Sequence, residues 1–156
     1  MIAVEPVFRA TSEVQKLVTE LDAELAKSYS ADQRHGLSLQ ALFEPDVRFF
    51  VALADGMAAG CGGFMLADGY AEVKRMYTRP YLRRRGVAAA ILGRIERDAR
   101  EAGFAELRLE TGIFQPEAVR FYERHGFERC EIFGPYEAMP AHAIESSLFY
   151  SKQLSF

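Results

Sequence analysis

The run Arg83-Arg84-Arg85-Gly86-Val87-Ala88, which opens the apolar stretch Ala89-Ala90-Ile91-Leu92, holds the side chains and spacing most suited to chemistry. The first N–H groups of a helix lack partners inside it and carry a partial positive charge, so an anion is held there if nothing bulky blocks it. Gly86 and Ala88 leave that approach open, and the arginines raise the local potential. A pyrophosphate suits such a turn, although a basic turn with one glycine is also common punctuation before a helix. The other reactive types form no comparable pattern. Cys61 and Cys130 make no CxxC and no metal-ligand spacing, and His35, His125 and His142 have no partner at a telling distance along the chain. The cysteines read as reduced thiols, the histidines as surface or loop residues, with His125 favourable to a helix C-terminus.

The elements that must hold this turn follow from periodicity. Ile2 to Arg9 reads as a strand, and Thr11 or Ser12 caps a helix with Val14, Leu17, Val18, Leu21 and Leu25 on one face. Asp32 to Phe43 is predicted helical despite Gly36. Val47 to Leu53, Ala58 to Leu66 and Tyr70 to Tyr77 read as a three-strand meander joined at Asp55-Gly56 and Asp68-Gly69, with Gly60, Gly62 and Gly63 admitting a bulge or a close neighbour. Pro80 ends the third strand. A helix over Val87 to Ala102 closes at Gly103, and a strand from Ala105 to Glu110 follows, so a right-handed crossover sets the helix start beside the carboxyl end of the Tyr70 strand. Pro116 starts a helix that ends at His125-Gly126; Phe127 to Ile132 and Ser146 to Leu154 complete the strands.

With 156 residues, 49% of them hydrophobic, the chain fits a single domain, 1–156, with its own core. A net charge of −3 argues against a nucleic-acid binder, and no apolar run approaches the ~20 residues that span a bilayer. The expectation is a cytoplasmic protein with no nucleic-acid or membrane partner.

Read together, Met76-Tyr77-Thr78-Arg79-Pro80, the turn Arg83 to Ala88 and Tyr122-Glu123-Arg124-His125-Gly126-Phe127 resemble the GNAT superfamily of N-acetyltransferases. The turn matches that family's pattern of Arg or Gln, two variable residues, Gly, one variable residue, then Gly or Ala. The resemblance covers essentially the whole chain. It implies an α/β (α+β) fold, a central twisted mixed sheet of about six or seven strands flanked by about four helices. It also implies acetyl-CoA as co-substrate, no metal, and a small-molecule or peptide amine as acceptor; homodimers are frequent in the family, and the alternative is a CoA-binding sensor or interaction protein that keeps the fold without turnover.

The resemblance implies roles residue by residue. The amides of Arg84, Arg85, Gly86, Val87 and Ala88 would hold the pyrophosphate, with the side chains of Arg83, Arg84 and Arg85 within reach of the phosphates. Met76, Tyr77 and Thr78 would border the pantetheine arm. Tyr122 matches the position whose hydroxyl protonates the leaving thiolate, a step that needs a donor aimed at sulfur. A phenol with pKa near 10 stays protonated at neutral pH, although Tyr122 also reads as a core aromatic. Glu72, eleven positions before Arg83, matches a base found in some members, while alternation sets it on one strand face with Tyr70 and Lys74, where it reads equally as a salt-bridged or solvated residue; Glu110 is the second carboxylate candidate. Where many relatives have Asn, this chain has Gln115, which either reaches the CoA arm or caps the helix. The acceptor groove is expected between residues 26–42 and 133–142, walled by Tyr29, Phe43, Phe133 and Tyr136, with Glu24, Asp32 and Glu137 to attract an ammonium group.

Overall fold

The computed structural model describes residues 1–155. Strand β1 (Ile2–Val7) leads to helix α1 (Ser12–Ala26), whose first turn is capped by the Thr11 hydroxyl accepting from the Val14 N–H. Strands β2 (Val47–Ala54), β3 (Met57–Leu66) and β4 (Ala71–Thr78) form the antiparallel meander. Helix α2 (Val87–Glu101), strand β5 (Glu106–Gly112), helix α3 (Pro116–Arg124), the two-residue strand β6 (Glu128–Arg129), the short helix α4 (Ala141–Ile144) and strand β7 (Ser147–Gln153) follow. The seven strands form one mixed sheet in the order β1-β2-β3-β4-β5-β7-β6.

The two faces of this sheet bury separate cores. Val87, Ile91, Leu92, Ile95 and Ala99 of α2 pack with Phe50, Phe64, Val73 and Leu109 on one face. Val14, Leu17, Val18 and Leu21 of α1 pack with Phe49, Val51, Cys61 and Tyr77 on the other. Apolar side chains at 3.6-residue spacing on each helix meet period-two positions of the strands, and each fully buried aliphatic contributes about 1.5–3 kcal/mol. Cys61 is buried, Cys130 half-buried, and both are free thiols. Among the described residues no helix is long and apolar enough to cross a membrane.

Two irregularities shape the centre of the sheet. β3 and β4 lose register between Cys61 and Gly63, and Arg75 takes a left-handed φ of 58° at this bulge. A Cβ on Gly62 would overlap the Met76 sulfur, so glycine admits the close approach. The parallel strands β4 and β5 pair only at Ala71↔Leu107 and Glu72↔Arg108 and then diverge. A gap therefore opens in mid-sheet beside the second half of β4.

Two expectations need correction. Residues 32–43 are not one helix: only Ala31–Gln33 and Ala41–Phe43 form single 3₁₀ turns. Between them Gly36 lies against the Arg75 guanidinium, where a Cβ would collide with it, and this tertiary packing displaces the helix. The strand read over Phe127 to Ile132 shrinks to Glu128–Arg129, because Phe133 and Tyr136 turn the following segment into a cluster with Tyr70 and Phe149.

Candidate active site

The turn before α2 presents backbone. After β4, Pro80–Leu82 form a 3₁₀ turn, Arg84 and Gly86 adopt left-handed φ values of 65° and 85°, and α2 begins. Such alternation turns successive N–H groups to one side, making a concave anion site. Among the described residues the N–H groups of Arg84 to Ala88 have no partner within the chain, and the first bond closing α2 runs from the Ala90 N–H to the Gly86 carbonyl. The three arginines then separate by role. Arg83 is braced: Nη2 donates to Glu24 Oε1 at 2.9 Å and Nε to the Thr78 carbonyl at 2.9 Å. Arg84 and Arg85 are exposed, and Arg84 has only a 3.7 Å approach to Glu117. The Thr78 carbonyl is thus already engaged. The Tyr77 side chain turns to α1, where its hydroxyl donates to Glu20 and its pKa is pushed up to about 12, chiefly by burial.

The gap between β4 and β5 continues into a cavity of about 120 Å³ under α1, closed at its far end by residues 30–36 and by Tyr136. Met76 borders it from β4, Gln115 from the start of α3, and Tyr122 from inside α3. Gln115 makes no side-chain capping bond, so capping does not explain it. The Tyr122 ring is packed edge-on against Phe121 and Phe127, yet its hydroxyl makes no hydrogen bond within the described residues. Burial raises the Tyr122 pKa, and the Glu110 charge adds to the effect, so the phenol keeps its proton.

The two carboxylates have different surroundings. Glu72, 1% exposed, accepts from the Tyr136 hydroxyl at 2.6 Å and pairs with Lys74 at 3.1 Å, both through Oε2. Lys74 also donates to the Tyr136 hydroxyl at 2.9 Å and to the His35 carbonyl at 3.3 Å, so it has three polar partners in all. Burial holds the Tyr136 hydroxyl far above its ordinary pKa, with the Glu72 charge adding. Glu110 has no ion pair among the described residues. Ser147 donates to its Oε2 at 2.6 Å, but burial outweighs that bond and lifts its pKa above the ordinary carboxylate range.

The family description "Acetyltransferase (GNAT) family" matches residues 14–127, which contain the anion turn, the sheet gap and Tyr122. The chain belongs to this family. It is 41% identical over 143 residues to an IAA acetyltransferase of Azospirillum brasilense, covering 90% of each chain. A crystal structure from Klebsiella pneumoniae, described as an acyl-CoA N-acyltransferase, superposes with a TM-score of 0.79 at 30% identity over 99% of both chains. A PaiA N-acetyltransferase of Thermoplasma acidophilum, solved with coenzyme A, shares the fold at 19% identity, with a TM-score of 0.71 over 97% of this chain and 99% of that one. The protein is therefore an acyltransferase of the GNAT fold.

Set against the sequence expectations for the GNAT site, the structure gathers Glu72, Glu110, Met76, Gln115 and Tyr122 around one cavity. Tyr29 and Tyr136 line it as expected; Phe43 instead packs edge-on with Phe49 in the α1 core, and Phe133 with Tyr70. The expected ammonium anchors lie elsewhere. Glu24 is taken by Arg83, Asp32 pairs with His142 at 2.7 Å, and Glu137 is exposed. His35 is no plain loop residue: its Nε2–H donates to the Ala143 carbonyl at 2.7 Å and its ring meets Tyr136 edge-on. Arg34 and Arg75 also line the cavity, beside the Lys74 expected on the Glu72 face. Lys74 was legible through its i+2 spacing from Glu72; Arg75 was not, because its placement depends on the bulge.

Proposed function

We propose that the protein transfers an acetyl group from acetyl-CoA to a primary amine by direct attack within a ternary complex. The observation that carries this reading is an unpaired, protonated phenol, Tyr122, lining the same cavity as an unpaired carboxylate of raised pKa, Glu110. The fit to the donor is supported by the free amides of the anion turn and by the gap between β4 and β5. The N–H groups of Arg84, Arg85, Gly86, Val87 and Ala88 would hold the pyrophosphate, and the exposed guanidiniums of Arg84 and Arg85 would meet further phosphate charge. Arg83 braces the turn on α1. The β4 backbone around Met76, Tyr77 and Thr78 and the Gln115 amide would border the pantetheine arm. Acetyl-CoA supplies an acetyl group already activated as a thioester.

In the transfer, an N–C bond forms and a C–S bond breaks; one proton leaves the nitrogen and one reaches the sulfur. Glu110 accepts the first and Tyr122 donates the second. Exchange with solvent returns the proton from Glu110 to Tyr122, leaving an amide and a free thiol. This reading assigns the base to Glu110 rather than Glu72, whose charge Lys74 already balances. Glu72 then orients Tyr136, whose hydroxyl it accepts from. An amine panel incubated with acetyl-CoA, with thiol release followed and products located by mass spectrometry, tests the reading. N-acetylated product with stoichiometric thiol supports it; acetyl-CoA binding with no acetylated amine overturns it.

A further inference from the structure

The acceptor end of the cavity carries cationic groups that the transfer chemistry leaves unused. Arg75 is 9% exposed, and of the five N–H bonds of its guanidinium only one, from Nη2 to Asp22 Oδ1 at 2.7 Å, meets an acceptor. Its Nε is buried with no partner. Nη1 lies against the backbone of Gly36, and only a residue without a Cβ allows that approach. Buried donors of this kind cost free energy unless something meets them. Beside it, half-buried Arg34 has no carboxylate partner among the described residues; its one recorded bond is a long 3.4 Å contact from Nε to the Ser30 carbonyl. Lys74, by contrast, is fully engaged and adds no free donor.

The cavity therefore has two signs of charge at two ends, Glu110 and Glu72 toward the sheet and Arg75 and Arg34 toward the 30–36 segment. It is also small: about 120 Å³, against the roughly 300–1,000 Å³ of pockets that enclose drug-sized ligands. We infer that the acceptor is a compact amphoteric amine whose acidic group, a carboxylate or a phosphonate, is held by Arg75 and Arg34 while its amine faces Glu110. The inference rests on the acetyl-transfer reading above and adds the acceptor class to it. A planar guanidinium with free N–H bonds suits either acid, because both present paired oxygens. A long polyamine or a neutral amine leaves the arginines unmatched.

The test compares kcat/KM for three matched sets of acceptors: short amino acids, the aminoalkylphosphonates of equal length, and the corresponding amino acid amides. The wild-type enzyme is expected to favour the acids over the amides by on the order of 10²-fold, the cost of leaving a buried charge unpaired. The first two sets show which acid fits. In Arg75→Gln the preference should collapse toward one, with Arg75→Lys restoring part of it. Arg34→Gln, at a more exposed position, should lower the preference several-fold, and serves if Arg75→Gln does not fold. Equal turnover of acids and amides by the wild type overturns the acceptor class alone. A uniform loss on all three sets in Arg75→Gln, the signature of a merely structural ion pair with Asp22, also overturns it. No acetylation of any set, with acetyl-CoA still bound, overturns the transfer reading and this one with it.

Discussion

The donor turn between β4 and α2 and the acceptor end under residues 30–36 lie on the same strand, yet they are made of different materials. At the turn the groups that would meet a ligand are backbone amides, aimed by two left-handed residues, and the Arg83 side chain is turned away to brace α1. At the acceptor end the polar groups are side chains: Glu72 is held by Tyr136 and Lys74, Arg75 by Asp22 through one of its N–H bonds, and His35 by the Ala143 carbonyl. Backbone recognition tolerates changes of side chain and fails when φ is forced. Side-chain recognition is sensitive to each partner and to pH.

The largest expected effect would separate chemistry from donor binding. Tyr122→Phe should lower kcat by ~10²-fold or more, as loss of a general acid does, while acetyl-CoA affinity measured by calorimetry stays within experimental error. Unchanged turnover would remove Tyr122 from the reaction. Glu110→Gln comes next. Because burial raises the Glu110 pKa, wild-type kcat/KM should rise with pH through a value above the ordinary carboxylate range, and the variant should lose that limb. The stability sign runs the other way: the folded state holds the Glu110 proton more tightly than the unfolded chain. Stability should therefore fall as pH rises from the unfolded to the folded pKa, a drop that denaturant melts should find missing in Glu110→Gln.

Smaller effects probe the backbone half of the contrast. Gly86→Ala meets no steric neighbour closer than Ile2 at 3.8 Å, but it forces a Cβ onto a φ of 85°. The expected cost is ~1–2 kcal/mol, read as a lower Tm together with a higher KM for acetyl-CoA. The arginine pair should divide. Arg83→Ala removes a half-exposed ion pair worth ~0.2–1 kcal/mol and should act on Tm, whereas Arg84→Ala should raise the acetyl-CoA KM a few-fold and less at high salt. Equal KM effects from both would erase the distinction between the bracing arginine and the free one.

The donor half was legible in the order of residues because it is local. A strand ended by Pro80, a short basic turn and a helix start at Val87 lie within a dozen positions, and the unpaired amides follow from helix geometry alone. Tyr122 could be placed for the same reason, since Pro116 and Gly126 bracket its helix. The acceptor half was not legible. Regular alternation along β4 sets Arg75 on the face of Val73 and opposite Glu72, but the bulge turns it toward α1, and the same slip sends Met76 to the α2 side. Residues 32–43 have helical spacing and lose it to contacts with Arg75, Ala143 and Glu145, residues distant in the chain.

By itself, then, the sequence determined most of the strand and helix order, the two apolar faces, the basic turn before α2 and the helix that carries Tyr122, each set by contacts within a few residues. Only the tertiary structure decided which carboxylate stands without an ion pair, where β4 and β5 part, and which arginines face the cavity. Those outcomes depend on a β-bulge and on side chains that meet across the fold, where burial and pairing of charge set the energies and chain spacing carries no information.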